Sequence, residues 1–72
     1  MSILHKILSE QDRLTRQNGK RLTTVYLGKS EWSELNDIER GVEFIHNKRR
    51  TGYFCAGLKV VRVLEISHLQ II

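Results

Sequence analysis

Ile3, Leu4, Ile7, Leu8 and Leu14 recur at intervals of three and four, which lays one apolar stripe along a helix, with Gln11 as a polar interruption. The spacing predicts an amphipathic helix over residues 2–18. Ser2 stands where an N-cap belongs, and Asn18-Gly19 supplies the left-handed residue that ends helices. Lys6 with Glu10, and Asp12 with Arg16, stand four apart on the polar side, where opposite charges attract.

From residue 22 the period changes. Thr23, Thr24, Val25 and Tyr26 are β-branched or aromatic and predict a strand over residues 22–27, broken by Gly28. Ser30 is placed to cap a second helix, with Glu31 and Glu34 in its first turn facing the helix dipole. That helix is expected over residues 31–40, burying Trp32, Leu35 and Ile38 and closed by Gly41. Val42, Phe44 and His46 then alternate with Glu43, Ile45 and Asn47, the period of a strand. The polar run Asn47-Lys48-Arg49-Arg50-Thr51-Gly52 suits a hairpin loop, and residues 53–55 resume the apolar character. Pairing about that loop is expected to set His46 near Tyr53 and Phe44 near Cys55. Gly57 marks a bulge or a tight turn. Residues 58–66 read as the strongest strand, dense in Val60, Val61, Val63, Leu64 and Ile66, and Leu69-Gln70-Ile71-Ile72 forms an apolar tail. The order α-β-α-β-β, with the tail as a further β, predicts a single α+β domain over residues 1–72. Its small antiparallel sheet carries two helices on one face.

Composition narrows the classes. The chain has 72 residues and one cysteine, so no internal disulfide can form, and a reducing cytoplasm is expected. No stretch approaches the ~20 apolar residues of a membrane span. Charges at Lys6, Glu10 and Asp12 interrupt the apolar core that a signal peptide requires. A domain of this size buries only about 60% of the surface its unfolded chain exposes. It has little structure left for a pocket of ~300 Å³ or more, so a non-enzymatic role is expected.

The candidate chemistry supports that expectation. Gly28-Lys29-Ser30 follows a strand, but a phosphate-binding loop needs a glycine where Thr23 stands. His5, His46, His68 and Cys55 contain no close pair of metal-ligand spacing, and nothing orients Cys55 as a nucleophile. No catalytic residue, metal or cofactor is expected.

The net charge of +4 hides an asymmetry. Residues 1–21 carry five basic and two acidic groups, residues 28–43 two basic and five acidic, and residues 48–62 five basic and none acidic. Lys48, Arg49 and Arg50 at a hairpin tip, with Tyr53, Arg62 and His46 nearby, suit phosphate contact and base stacking. The acidic second helix would repel a nucleic-acid backbone, whereas patches of opposite sign orient a protein partner. Contact with another protein through Lys48, Arg49, Arg50, Tyr53, Arg62, Glu31 and Glu34 is therefore the expected function, with nucleic-acid binding as the alternative. The apolar tail either completes the domain's own sheet or offers an edge to a second copy.

Tyr26-Leu27-Gly28, followed by Glu31-Trp32 and Leu35, resembles a pattern in small bacteriophage and prophage proteins. There, a basic N-terminal helix leads to a strand ending in a YLG-like turn and then a short acidic-aromatic helix. Gly57-Leu58-Lys59-Val60-Val61 through Ser67-His68-Leu69 is similar to their final strand and tail. The resemblance covers a minority of the chain. It implies a phage-type accessory protein in the host cytoplasm, modulating a host complex or joining an assembly, and it transfers no site residue.

Overall fold

The computed structural model describes residues 2–19 and 21–72. Helix α1 (Ile3–Asn18) is capped as its sequence predicts: Ser2 Oγ accepts the His5 amide at 3.0 Å, and Gly19 adopts a left-handed φ of 64°. Ile3 and Ile7 are buried, and Leu4 and Leu14 pack against the core. Asp12 pairs with Arg16 at 3.3 Å. Glu10 pairs with Arg13 rather than Lys6, because the guanidinium fork reaches both carboxylate oxygens at 3.1 and 2.7 Å.

Strand β1 (Thr24–Leu27) leads to helix α2 (Lys29–Ser33), which widens into a π turn (Glu34–Ile38). Strands β2 (Glu43–His46), β3 (Thr51–Cys55), β4 (Leu58–Arg62) and β5 (Leu69–Ile71) follow, and the sheet runs β2-β3-β4-β1-β5. All pairs are antiparallel except β1 with β4, which the crossover through α2 and the β2–β3 hairpin makes parallel. The α+β class and the order of elements match the expectation. Alternation sends Val25, Leu27, Leu58, Val60, Cys55 and Ile71 to the helix side, where they form one core with Ile3, Ile7 and Leu35.

The start of α2 departs from its prediction. Gly28, not Ser30, is the N-cap, and no side chain caps it. The amides of Gly28, Lys29 and Ser30 instead donate to the carbonyls of His68, Glu65 and Ile66 at 2.8, 2.9 and 2.8 Å. The Glu31 carboxylate reciprocates, accepting from Ser67 Oγ at 2.7 Å and the His68 amide at 2.9 Å. Residues 63–68 therefore leave the sheet after Arg62, and the strand expected over 58–66 ends early. Leu64 and Ile66 turn to solvent. Gly28 has no room for a side chain, since a Cβ there would lie 2.6 Å from the His68 nitrogen and 2.9 Å from the Glu65 oxygen.

The start of α1 borrows acceptors in the same way. Glu39, just past the π turn, accepts the Ile3 and Leu4 amides, each at 2.8 Å. Desolvation raises the pKa of this carboxyl, but the amides of Leu4 and Ile3, with the side chains of Ser2 and Glu34, together outweigh it and hold the group below the usual carboxylate range. The π turn closes with the Glu39 amide on the Glu34 carbonyl at 2.9 Å. Its extra residue per turn carries Ile38 off the apolar face, so Leu35 is fully buried while Ile38, expected in the core, is 77% exposed. Arg40, at φ 53°, takes the left-handed position assigned to Gly41. Gly41 is needed for space instead: a Cβ there would meet Leu35 Cδ1 at 2.9 Å.

Asn47 Oδ1 accepts the Arg49 and Arg50 amides at 2.9 and 2.8 Å, which tightens the hairpin loop and returns Thr51 and Gly52 to β3. The register pairs Phe44 with Tyr53 and His46 with Thr51, two residues from the expected pairing. Ala56 and Gly57, at φ 52° and 80°, form a tight turn between β3 and β4. The tail completes the domain's own sheet beside β1, with Ile71 buried, and forms the edge strand on that side. Among the described residues no helix is long and apolar enough to cross a membrane.

Gly28→Ala is expected to lower unfolding free energy by about 1–3 kcal/mol in urea, as overpacking does. An unchanged midpoint would contradict the close approach. For Glu39, the folded pKa lies below the unfolded one, so its stabilisation is present above the unfolded value and lost as pH falls through the folded value. Glu39→Gln should therefore be less stable than the parent at neutral pH, with the gap closing in acid. Urea midpoints across that range test this, and a gap constant with pH would contradict it.

Candidate functional site

The alternation that buries Cys55 also places Tyr53 on the helix side of β3. Register then puts Phe44 and His46 on the same side of β2, and Arg62 follows Leu58 and Val60 on β4. Helix α1 contacts β5 and α2 contacts β1, leaving the β2–β3 end of this face open. Trp32 projects from α2 to the boundary.

The side chains meet in a row. Trp32 and Tyr53 make an edge contact with centroids 5.0 Å apart and planes at 77°. Tyr53 and Phe44 are tilted by 59° at 5.2 Å, and Phe44 lies parallel to His46 at 6.5 Å. The Arg62 guanidinium sits 4.8 Å from the Trp32 centroid and 5.8 Å from that of Tyr53. Phe44 is 58% exposed and Tyr53 37%. Lys29, Val63 and Leu64 border a shallow hollow beside Trp32 and Arg62. Among the described residues Arg62 makes no ion pair, so its charge is answered only by the ring faces.

The structure divides the residues expected to form the site. Tyr53 and Arg62 come together. Lys48 and Arg49 stand exposed at the hairpin tip, beyond the His46 end of the row. Arg50 goes to the opposite face of the sheet, 5.0 Å over the Phe54 ring. Glu31 is tied to Ser67 and His68. Desolvation raises its pKa, but those hydrogen bonds, with its own amide and the charge of Lys6, outweigh that and lower it on balance. Glu34 is half-buried at the start of the π turn. Trp32 joins the row as well as flanking the core, and Phe44 is a member that sequence patterning did not single out. Its signal was available in Asn47, whose Asx turn sets the loop length and hence the register.

Cys55 is buried, and desolvation first, then the charge of Glu39, pushes its thiol pKa up, which makes it a small apolar core residue. Among the described residues no group of three His, Cys, Asp or Glu side chains could hold a metal ion. Comparison with protein-family models, curated proteins and solved structures finds no match.

Trp32 is the one tryptophan of the chain, so its emission reports on the row. Arg62→Met should shift that emission while lowering stability by no more than about 0.5–1 kcal/mol, the scale of an exposed cation–π contact. Unchanged emission would show that the guanidinium does not lie on the ring.

Proposed function

We propose that this protein is a non-enzymatic binding module of the phage accessory type, acting in the host cytoplasm by contact with another protein, either to modulate a host complex or to join an assembly. The phage element rests on the sequence resemblance of residues 26–35 and 57–69. The contact element rests on one observation: Trp32, Tyr53 and Phe44 form a continuous row crossed by Arg62, half-buried at Trp32 and exposed at Tyr53 and Phe44. Trp, Tyr and Arg are the residue types that dominate interface hot spots, because each buries a large rigid area and keeps a polar handle. Leu64, 89% exposed beside the row, adds apolar surface that a protein covers and a phosphate backbone does not.

Nucleic-acid binding is the second reading, favoured by the parallel Phe44–His46 pair and by Lys48 and Arg49 near it. It is the weaker of the two. Arg50 is turned to the other face, which leaves few cations to follow a backbone.

Two experiments separate them. The pair Phe44→Ala and Tyr53→Ala should remove the proteins that the parent captures from a host lysate, a loss of about 2 kcal/mol or more if the row is a hot spot. Capture unaffected by both changes would refute contact through the row. Titration with oligo-dT at about 50 mM salt should leave Trp32 emission unchanged, whereas tight binding that weakens steeply with salt would favour the second reading.

A further inference from the structure

Strand β2 is the outermost strand at its side of the sheet. In an antiparallel ladder, facing residues alternate between exchanging both hydrogen bonds and exchanging none. The Asn47 amide donates to the Arg50 carbonyl at 2.9 Å, and that bond sets the phase. Ile45 with Gly52 and Glu43 with Phe54 are then the bonded pairs, while Phe44 and His46 turn their backbone N–H and C=O away from β3. These are the two residues whose side chains end the aromatic row. The edge of β2 thus presents backbone hydrogen-bonding groups and aromatic surface at the same positions.

Charge selects the occupant. Residues 40–50 carry Arg40, Lys48, Arg49 and Arg50 against the single acidic Glu43, whose side chain alternation sends to the opposite face from Phe44. Antiparallel pairing with a second copy would set each basic tip beside the other's Arg40, a repulsive arrangement. An acidic strand meets no such penalty. We propose that the β2 edge accepts an extended acidic segment of a partner protein as a sixth strand. Its backbone bonds to Phe44 and His46, its alternate side chains lie over Phe44 and Tyr53, and its carboxylates face Lys48 and Arg49. This rests on the protein-contact reading and adds the form and charge of the partner.

The test is selection of a random displayed decapeptide library on the full chain, followed by titration of the enriched peptides and amide exchange by NMR. Enriched peptides should alternate apolar and polar positions, carry Asp or Glu, and slow exchange at the Phe44 and His46 amides. His46→Pro, which removes an outward amide without touching the ladder to β3, should weaken binding about tenfold, against about threefold or less for His46→Ala, since each lost hydrogen bond leaves a partner group unsatisfied. If His46→Pro fails to fold, N-methylation of the peptide amides removes the same bonds with the protein unchanged and should cost the same factor. Absence of enriched peptides, a helical spacing among them, unprotected amides at 44 and 46, or indifference to N-methylation would each overturn strand addition. Where selected peptides still lose affinity with Phe44→Ala and Tyr53→Ala, contact through the row stands without it. Indifference to those two changes removes the parent reading as well.

Discussion

A helix exposes amides at its first turn that nothing within the helix can satisfy, and in this chain tertiary partners satisfy most of them. Helix α2, at five residues, is too short to persist alone, and its leading amides rest on the carbonyls of Glu65, Ile66 and His68. Helix α1 takes Glu39 for its first two amides and Ser2 for the third. The two arrangements are linked in sequence, because the segment that carries Glu39 is the continuation of α2. The N-terminal helix, the short helix and the loop before the last strand are therefore joined by directional bonds, in a domain whose apolar core alone is small.

That constraint also shapes the exposed face. Supplying carbonyls to α2 draws residues 63–68 out of the sheet, so β4 stops at Arg62 and leaves its guanidinium beneath Trp32. The same excursion turns Leu64 to solvent beside them. With the helices contacting β1 and β5, Tyr53 and Phe44 at the other end of the face stay partly open to solvent. The aromatic row is thus a consequence of how the helix ends are satisfied, and a change at Gly28 or Glu31 would reach it through the backbone.

Local signals were legible in the sequence where local physics decides the outcome. The stripe from Ile3 to Leu14, the cap at Ser2 and the turn at Gly19 were all readable, because a long amphipathic helix depends on few distant contacts. The α+β class followed from the order of periods. Long-range hydrogen bonding is not readable: Ser30 carries every local mark of an N-cap, yet carbonyls remote in sequence, on Glu65, Ile66 and His68, take its place. The β-branched run through Ile66 looked like strand for the same reason, since propensity is overridden where a neighbouring element needs its backbone. Of the candidate site, Tyr53 and Arg62 are legible in the sequence, whereas Phe44 is not, because its pairing with Tyr53 depends on a register set by the Asn47 turn. Glu31 carries only the local pattern of a surface charge because its partners, Ser67 and His68, are remote in sequence.

Hydrogen exchange at the Lys29 and Ser30 amides reads whether remote carbonyls satisfy the start of α2. Amides at the start of a five-residue helix exchange rapidly if they are open to water, and slowly if they are bonded to residues 65–66. Protection is expected at both, close to that of the β1 amides beside them in sequence. Exchange at the rate of an unstructured chain would show that these bonds do not form, and that the excursion of residues 63–68 that brings Arg62 and Leu64 beside Trp32 has another cause.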